Sequence, residues 1–179
     1  PTGVEFNHCY GDCTMSKLFV DDIVEKTSGH GVNIPGYVVQ TLGNSHVIGS
    51  DIATTSTSFV TSGLTSPVIT PKFANSKIVI TCDVGMIYGV NAGNGSMSSI
   101  FRSVQGGTYT ALNVVNYDHF HESSGSDNIA GHMHHILDTP TYTLGNTISY
   151  QVFIKGQGNG SISIYNGSLV NYTVSEIAQ

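Results

Sequence analysis

Five of the eight histidines fall in one short stretch: His119 and His121 in DHFHE, then His132, His134 and His135 in HMHH. Residues i and i+2 of a strand point to one side. On strands, His119/His121 and His132/His134 would each present two imidazoles together, a donor set that suits iron, zinc or nickel. The competing readings are exposed loop histidines and a pH-sensitive contact, since imidazole titrates near neutrality. Carboxylates stand close by, with Asp118 and Glu122 around one pair and Asp138 after the other. Two carboxylates can cut a glycosidic bond, but no spacing fixes such a pair here. Neither a G-x-S-x-G elbow nor an H-E-x-x-H helix motif occurs, and no Ser or Thr has a located base and orienter. The chain is therefore expected not to be an enzyme.

Binding is the more natural chemistry. An aromatic face packs on the apolar side of a sugar ring while its hydroxyl stays wet, which makes Tyr88, Tyr109, Tyr117, Tyr142, Tyr165 and Tyr172 candidates. The bland alternative for each is cross-strand packing. Loops carry function on a rigid scaffold, and the Gly/Asn/Ser-rich segments 89–96 and 116–131 are the favoured region. The candidate ligand-binding set is Tyr88, Asn91, Asn94, Tyr117, Asp118 and Asn128. Cys9 and Cys13, spaced C-x-x-x-C beside His8, lack a fourth metal ligand and read as a disulfide or two free thiols. With Cys82 the cysteine count is odd, which argues against a disulfide framework.

The elements that must hold these residues are strands. The chain has 39 Ser plus Thr, 13 Asn and 21 Gly, and only 10% charged residues. Such a composition favours short strands and tight turns and opposes helices, because Ser, Thr and Asn compete for the helix backbone. Six Lys plus Arg against twelve Asp plus Glu give a net charge of −6. No basic patch serves nucleic acid. No apolar run reaches membrane-spanning length, and no charged-then-apolar opening suggests a signal peptide. GYVVQTL (36–42) reads as a strand leading into a linker over 43–58. The set Ile78, Ile80, Cys82, Val84, Met86 and Tyr88 alternates with its neighbours, as in a half-buried strand. Asn91 to Gly95 reads as a hairpin turn, followed by strands at 98–104, 109–115 and 133–137. Ile148, Tyr150, Val152 and Ile154 share a face, Gln157 to Gly160 turn into a hairpin partner at 161–165, and 170–177 is the last strand. Strands at these intervals predict an all-β, antiparallel, jelly-roll-like sandwich over 36–179, after an extended N-terminal arm over 1–35.

Three stretches carry a resemblance: KLFVDDIVEKTSGHGVNIPG (17–36), TSTSFVTSGLTSPVITPKFANSKIVI (55–80) and ILDTPTYTLGNTISYQVFIKGQGNGSISIYNG (136–167), with the ending TVSEIAQ. Together they resemble the head domains of phage tail-fibre and virion structural proteins, especially marine ones. Residues 1–16 and an insert around 117–135 lie outside that pattern. The resemblance implies a virion-surface protein, a homotrimer, attachment to other virion proteins through the arm, and adhesion to a host receptor or glycan. In a threefold fibre, one H-x-H pair per chain would bring six nitrogens around the axis, as in the axial iron sites of some such fibres. The alternative is a capsid decoration protein or filament subunit that needs no ligand.

Overall fold

The computed structural model describes residues 34–90, 94–112, 118–122, 128–156 and 161–179. Within them lie eleven strands: β1 (Val38–Val47), β2 (Ile52–Thr54), β3 (Val60–Thr65), β4 (Lys77–Val90), β5 (Asn94–Val104), β6 (Thr110–Ala111), β7 (Asp118–Glu122), β8 (Asn128–Asp138), β9 (Ile148–Gly156), β10 (Ser161–Ile164) and β11 (Leu169–Ile177). Every pairing is antiparallel. One sheet runs β1-β11-β4-β10-β2 with β8 on the other edge of β4, and the second runs β3-β9-β5 with β6 and β7 along β5.

The eleven strands reduce to eight lines. β1 and β2 form one line, because Val47 opposes Leu169 and Ile52 opposes Ile164 without a change of register. The gap between them is bridged by Ile48 N donating to Ser168 O (3.0 Å) and Gly167 N to Ile48 O (2.8 Å). β10 and β11 lie end to end along β4, and β6 and β7 along β5. The first sheet is thus β1/β2, β10/β11, β4, β8, and the second is β3, β9, β5, β6/β7. Two four-line antiparallel sheets in this order make a jelly roll. The expected fold class is what the chain adopts.

The sheets meet over an aliphatic core. Ile78, Ile80, Cys82, Val84 and Ile87 of β4 lie buried against Ile148, Tyr150, Val152 and Ile154 of β9, Ile100 of β5, and Val170, Tyr172 and Val174 of β11. Burying each large side chain stabilises the fold by roughly 1.5–3 kcal/mol. Tyr172 also fastens one sheet to the other. Its hydroxyl accepts from Val152 N (2.9 Å) on β9 and donates to Leu64 O (2.8 Å) on β3.

Glu176 is a second fastening. It is fully buried near the end of β11. Its carboxylate accepts from Lys72 N, Phe73 N, Ser76 Oγ (2.7 Å) and Gln40 Nε2 (2.7 Å). A buried charge needs this many donors to replace water. They come from β1 and from the loop before β4, so one side chain of the last strand holds three segments. The ends of the sandwich are clasped nearby, where Gly36 N donates to Ala178 O and Ala178 N to Tyr37 O.

Several sequence expectations need correction. The segment 43–58 is not a linker: β1 continues through Val47, and β2 follows, because Leu42, Asn44 and His46 face inward from a paired strand. The alternation in β4 slips at Gly85, which has φ +71°. Beyond it Ile87 is buried and Met86 is exposed. At this bulge β4 exchanges its neighbour β11 for β10. A Cβ on Gly85 would stand 2.9 Å from Leu169 O, so the handover needs glycine. The two expected hairpins are not hairpins. β4 and β5 belong to different sheets, as do β9 and β10, so each connection crosses from sheet to sheet. Of 109–115, the strand among the described residues is only Thr110–Ala111. The arm residues 1–33, with Cys9 and Cys13, lie outside the described residues.

Candidate functional site

The best-defined polar constellation lies between the sheets, along β8 and β5. β8 pairs with β4 so that Cys82 opposes His134, Ile80 opposes Ile136 and Ile78 opposes Asp138. Those β4 residues face the core, so His132, His134 and Asp138 face inward as well. Across the gap, His134 Nε2 lies 2.7 Å from Ser98 Oγ on β5. Four residues along both strands, Arg102 Nη1 donates to Asp138 Oδ1 at 2.7 Å. Tyr150 OH donates to Asp138 Oδ2 at 2.9 Å. Burial, and then the neighbouring His132, push the His134 pKa down to about 4. Burial also lowers that of His132. The Tyr150 phenol is held well above its ordinary value, first by burial and then by the Asp138 charge. A neutral imidazole, a paired carboxylate and an un-ionised phenol brace the two sheets.

The His132 and His134 rings are 4.5 Å apart at 75°, so the expected pairing of their side chains is realised. The pair faces the interior of the sandwich, however, whereas a site on a threefold axis would need an outward-facing pair. No group of three His, Cys, Asp or Glu that could hold a metal occurs among the described residues. His119 and His121 lie on β7, with His121 opposite Gly95. Their side chains are outside the described set.

Of the expected ligand-binding residues, Asn94 and Asn128 begin strands at one end of the sandwich. Asn128 opposes Gly89, Ser161 opposes Val90 and Asn94 opposes Glu122. These pairings bring the strand ends that flank 91–93, 123–127 and 157–160 together. Asp118 opposes Met97 a few residues further in. Tyr88 sits on the outer face, its ring 6.2 Å from that of Tyr165. Asn91 and Tyr117 lie outside the described residues. Of the other tyrosines, Tyr172 is a core residue and Tyr109 bonds Ser149 at 3.1 Å. Tyr142 OH accepts from Ser76 N and donates to Phe73 O, at the opposite end. There Asn75, Ser76, Thr139, Pro140, Thr141 and Tyr142 line an open depression of about 270 Å³.

The outer faces of the two sheets differ. On the second sheet, Phe101 stacks on Phe153 (4.0 Å), with Phe59 and Tyr109 against them and Lys155 over Phe59. On the first sheet the β8 line carries Ile129, Met133 and Leu137 outward, 55%, 61% and 58% exposed, and β4 adds Met86 at 40%. β8 thus turns its apolar side to solvent and its polar side to the core. Sequence reasoning missed this, together with Glu176 and the Arg102–Asp138–Tyr150 set. The signal was present in Asp138 and His134, whose spacing from Ile136 puts all three on one side.

No protein-family model matches the chain, and no curated protein matches it. Among solved structures, it is similar to a chain in the structure of infectious bursal disease virus, Gx strain, at 14% identity and a TM-score of 0.33. The alignment covers 78% of this chain and 40% of that chain, so this chain spans well under two thirds of its length.

Proposed function

We propose that this chain is the adhesive head of a virion fibre, a non-catalytic homotrimer on the virion surface that grips a host receptor or glycan. The observation that carries the reading is the convergence at one end of the jelly roll. There the strand ends around 91–93, 123–127 and 157–160 meet, with Asn94, Asp118 and Asn128 on the strands that lead into them. Loops on a rigid two-sheet scaffold can vary without disturbing the core. Single weak sites gain avidity when three are linked. The viral setting is supported by the resemblance of 17–36, 55–80 and 136–167 to phage fibre heads. In this reading residues 1–35 attach the head to other virion proteins.

A glycan array probed with the native chain tests adhesion directly. Saturable binding that falls when Asn128→Ala is introduced supports the proposal; an array with no signal, together with no binding to intact host-type cells, defeats it. Native mass with and without a chelator tests the trimer and the histidine metal together. A species near three times 19.0 kDa is expected, and a chelator-sensitive mass would assign the other H-x-H pair, His119/His121, to metal. The second reading, a capsid decoration or filament subunit without a ligand, is favoured by one observation, the uncovered apolar side of β8.

A further inference from the structure

We propose that the outer face of the first sheet, along β8 and β4, is where a second copy of this chain packs. The inference rests on the oligomeric part of the reading above and not on adhesion. Its starting point is the inverted β8, whose outward column holds Ile129, Met133 and Leu137 beside Met86 of β4. Half-exposed residues of this size place several hundred Å² of apolar surface on one face. That is the scale at which a patch on a monomer marks an interaction site, at roughly 300–600 Å². It is also a large part of the ~800 Å² that each partner gives to a standard interface. The inward His134 and Asp138 have their own partners on β5, so the orientation of β8 is fixed from inside and the apolar side has nowhere else to go.

The rest of the face is prepared for covering. Across the four lines run rows of opposed residues, and their polar groups already bond one another. Thr41 Oγ1 lies 2.8 Å from Ser175 Oγ, Ser45 Oγ donates to Asn171 Oδ1 at 2.6 Å, and Thr81 Oγ1 lies 2.9 Å from His135 Nδ1. Groups satisfied within the face can lose water without being orphaned. Charge identifies the occupant. The chain carries −6, so two copies repel wherever carboxylates meet. Among the outward-facing residues of these rows Asp83, opposite Met133, is the one carboxylate, and its Oδ1 accepts from Gly85 N. This sparsely charged, largely apolar, internally bonded face is where two such chains can approach. On the outer face of the second sheet the rings of Phe59, Phe101, Tyr109 and Phe153 pack on one another and are each part-buried in the single chain.

The test is sedimentation of the full chain as wild type, as Met133→Asp/Leu137→Glu, and as Val68→Asp, an exposed position off this face. The expected result is an oligomer for wild type and Val68→Asp, and a species of 19.0 kDa for the double variant. Its circular dichroism should be unchanged, because both side chains are exposed in the single chain. Association should weaken about 100-fold or more when carboxylates enter an apolar contact. A double variant that is folded and keeps the wild-type mass overturns this face while leaving the fibre reading intact. A wild type that is monomeric at all concentrations overturns both. Methionine oxidation by peroxide separates the remaining occupant: a monomer whose Met133 is protected has the face covered by its own residues 1–33, which also overturns the proposal.

Discussion

His134 carries the clearest pH consequence in the molecule. Its imidazole is buried against Ser98 and its pKa falls from 6.5 to about 4. Between those two values the unfolded chain holds a proton that the folded chain refuses. Stability from this group is therefore complete above about pH 6.5 and is lost as pH falls through about pH 4, by up to roughly 3 kcal/mol. Urea midpoints at about pH 7 and pH 4.5 should drop further for wild type than for His134→Asn, and equal drops would reject the assignment. Arg102 is the complementary case, where charge is kept. Arg102→Ala strands the buried Asp138 carboxylate and should cost about 3–5 kcal/mol, while Arg102→Met/Asp138→Leu costs much less. The sequence displayed these residue types and even the right pairing of His132 with His134. It could not display their partners, because Ser98 and Arg102 stand 36 positions away and on another sheet. Glu176 was visible only as part of the ending TVSEIAQ, while its donors lie about a hundred residues earlier.

Strands of this chain are legible where the two sides differ in polarity and illegible where the backbone breaks the period. β11 alternates cleanly, and β9 departs from alternation only at the buried Gln151. β4 was read correctly up to Val84, and then a single left-handed glycine moved every later side chain to the other face. Gly85→Ala should therefore destabilise by about 1–3 kcal/mol through strain and collision with Leu169 O. Gly49→Ala, where an added Cβ meets nothing within 4 Å, should change the denaturation midpoint little. A neutral Gly85→Ala would show that the bulge can flatten. β8 misleads for a different reason: its apolar residues point away from the core, so hydrophobic periodicity alone would turn it over. The polar residues win because His134 and Asp138 each find a partner across the gap, and turning them outward would break both the Ser98 and the Arg102 contacts.

At the scale of the whole chain, the fold class followed from spacing and composition, since many short alternating strands with Gly and Asn between them admit few architectures. The order of strands did not follow, because both apparent hairpins are crossings between sheets, and nothing local distinguishes a turn that returns to its own sheet from one that leaves it. If copies of the chain associate through β8, thermal stability must rise with protein concentration. A melting temperature that stays constant over a hundredfold dilution would speak against association. Cys82 offers a way to time the molecule's opening. Its thiol is fully buried in the middle of β4, and burial pushes its pKa up to about 12, so it is inert to alkylating reagents while the sheets stay together. In a Cys9→Ser/Cys13→Ser background, the rate at which Cys82 becomes labelled is then a clock for separation of the two layers. That rate should slow in any assembly that holds β4 and β8 from outside.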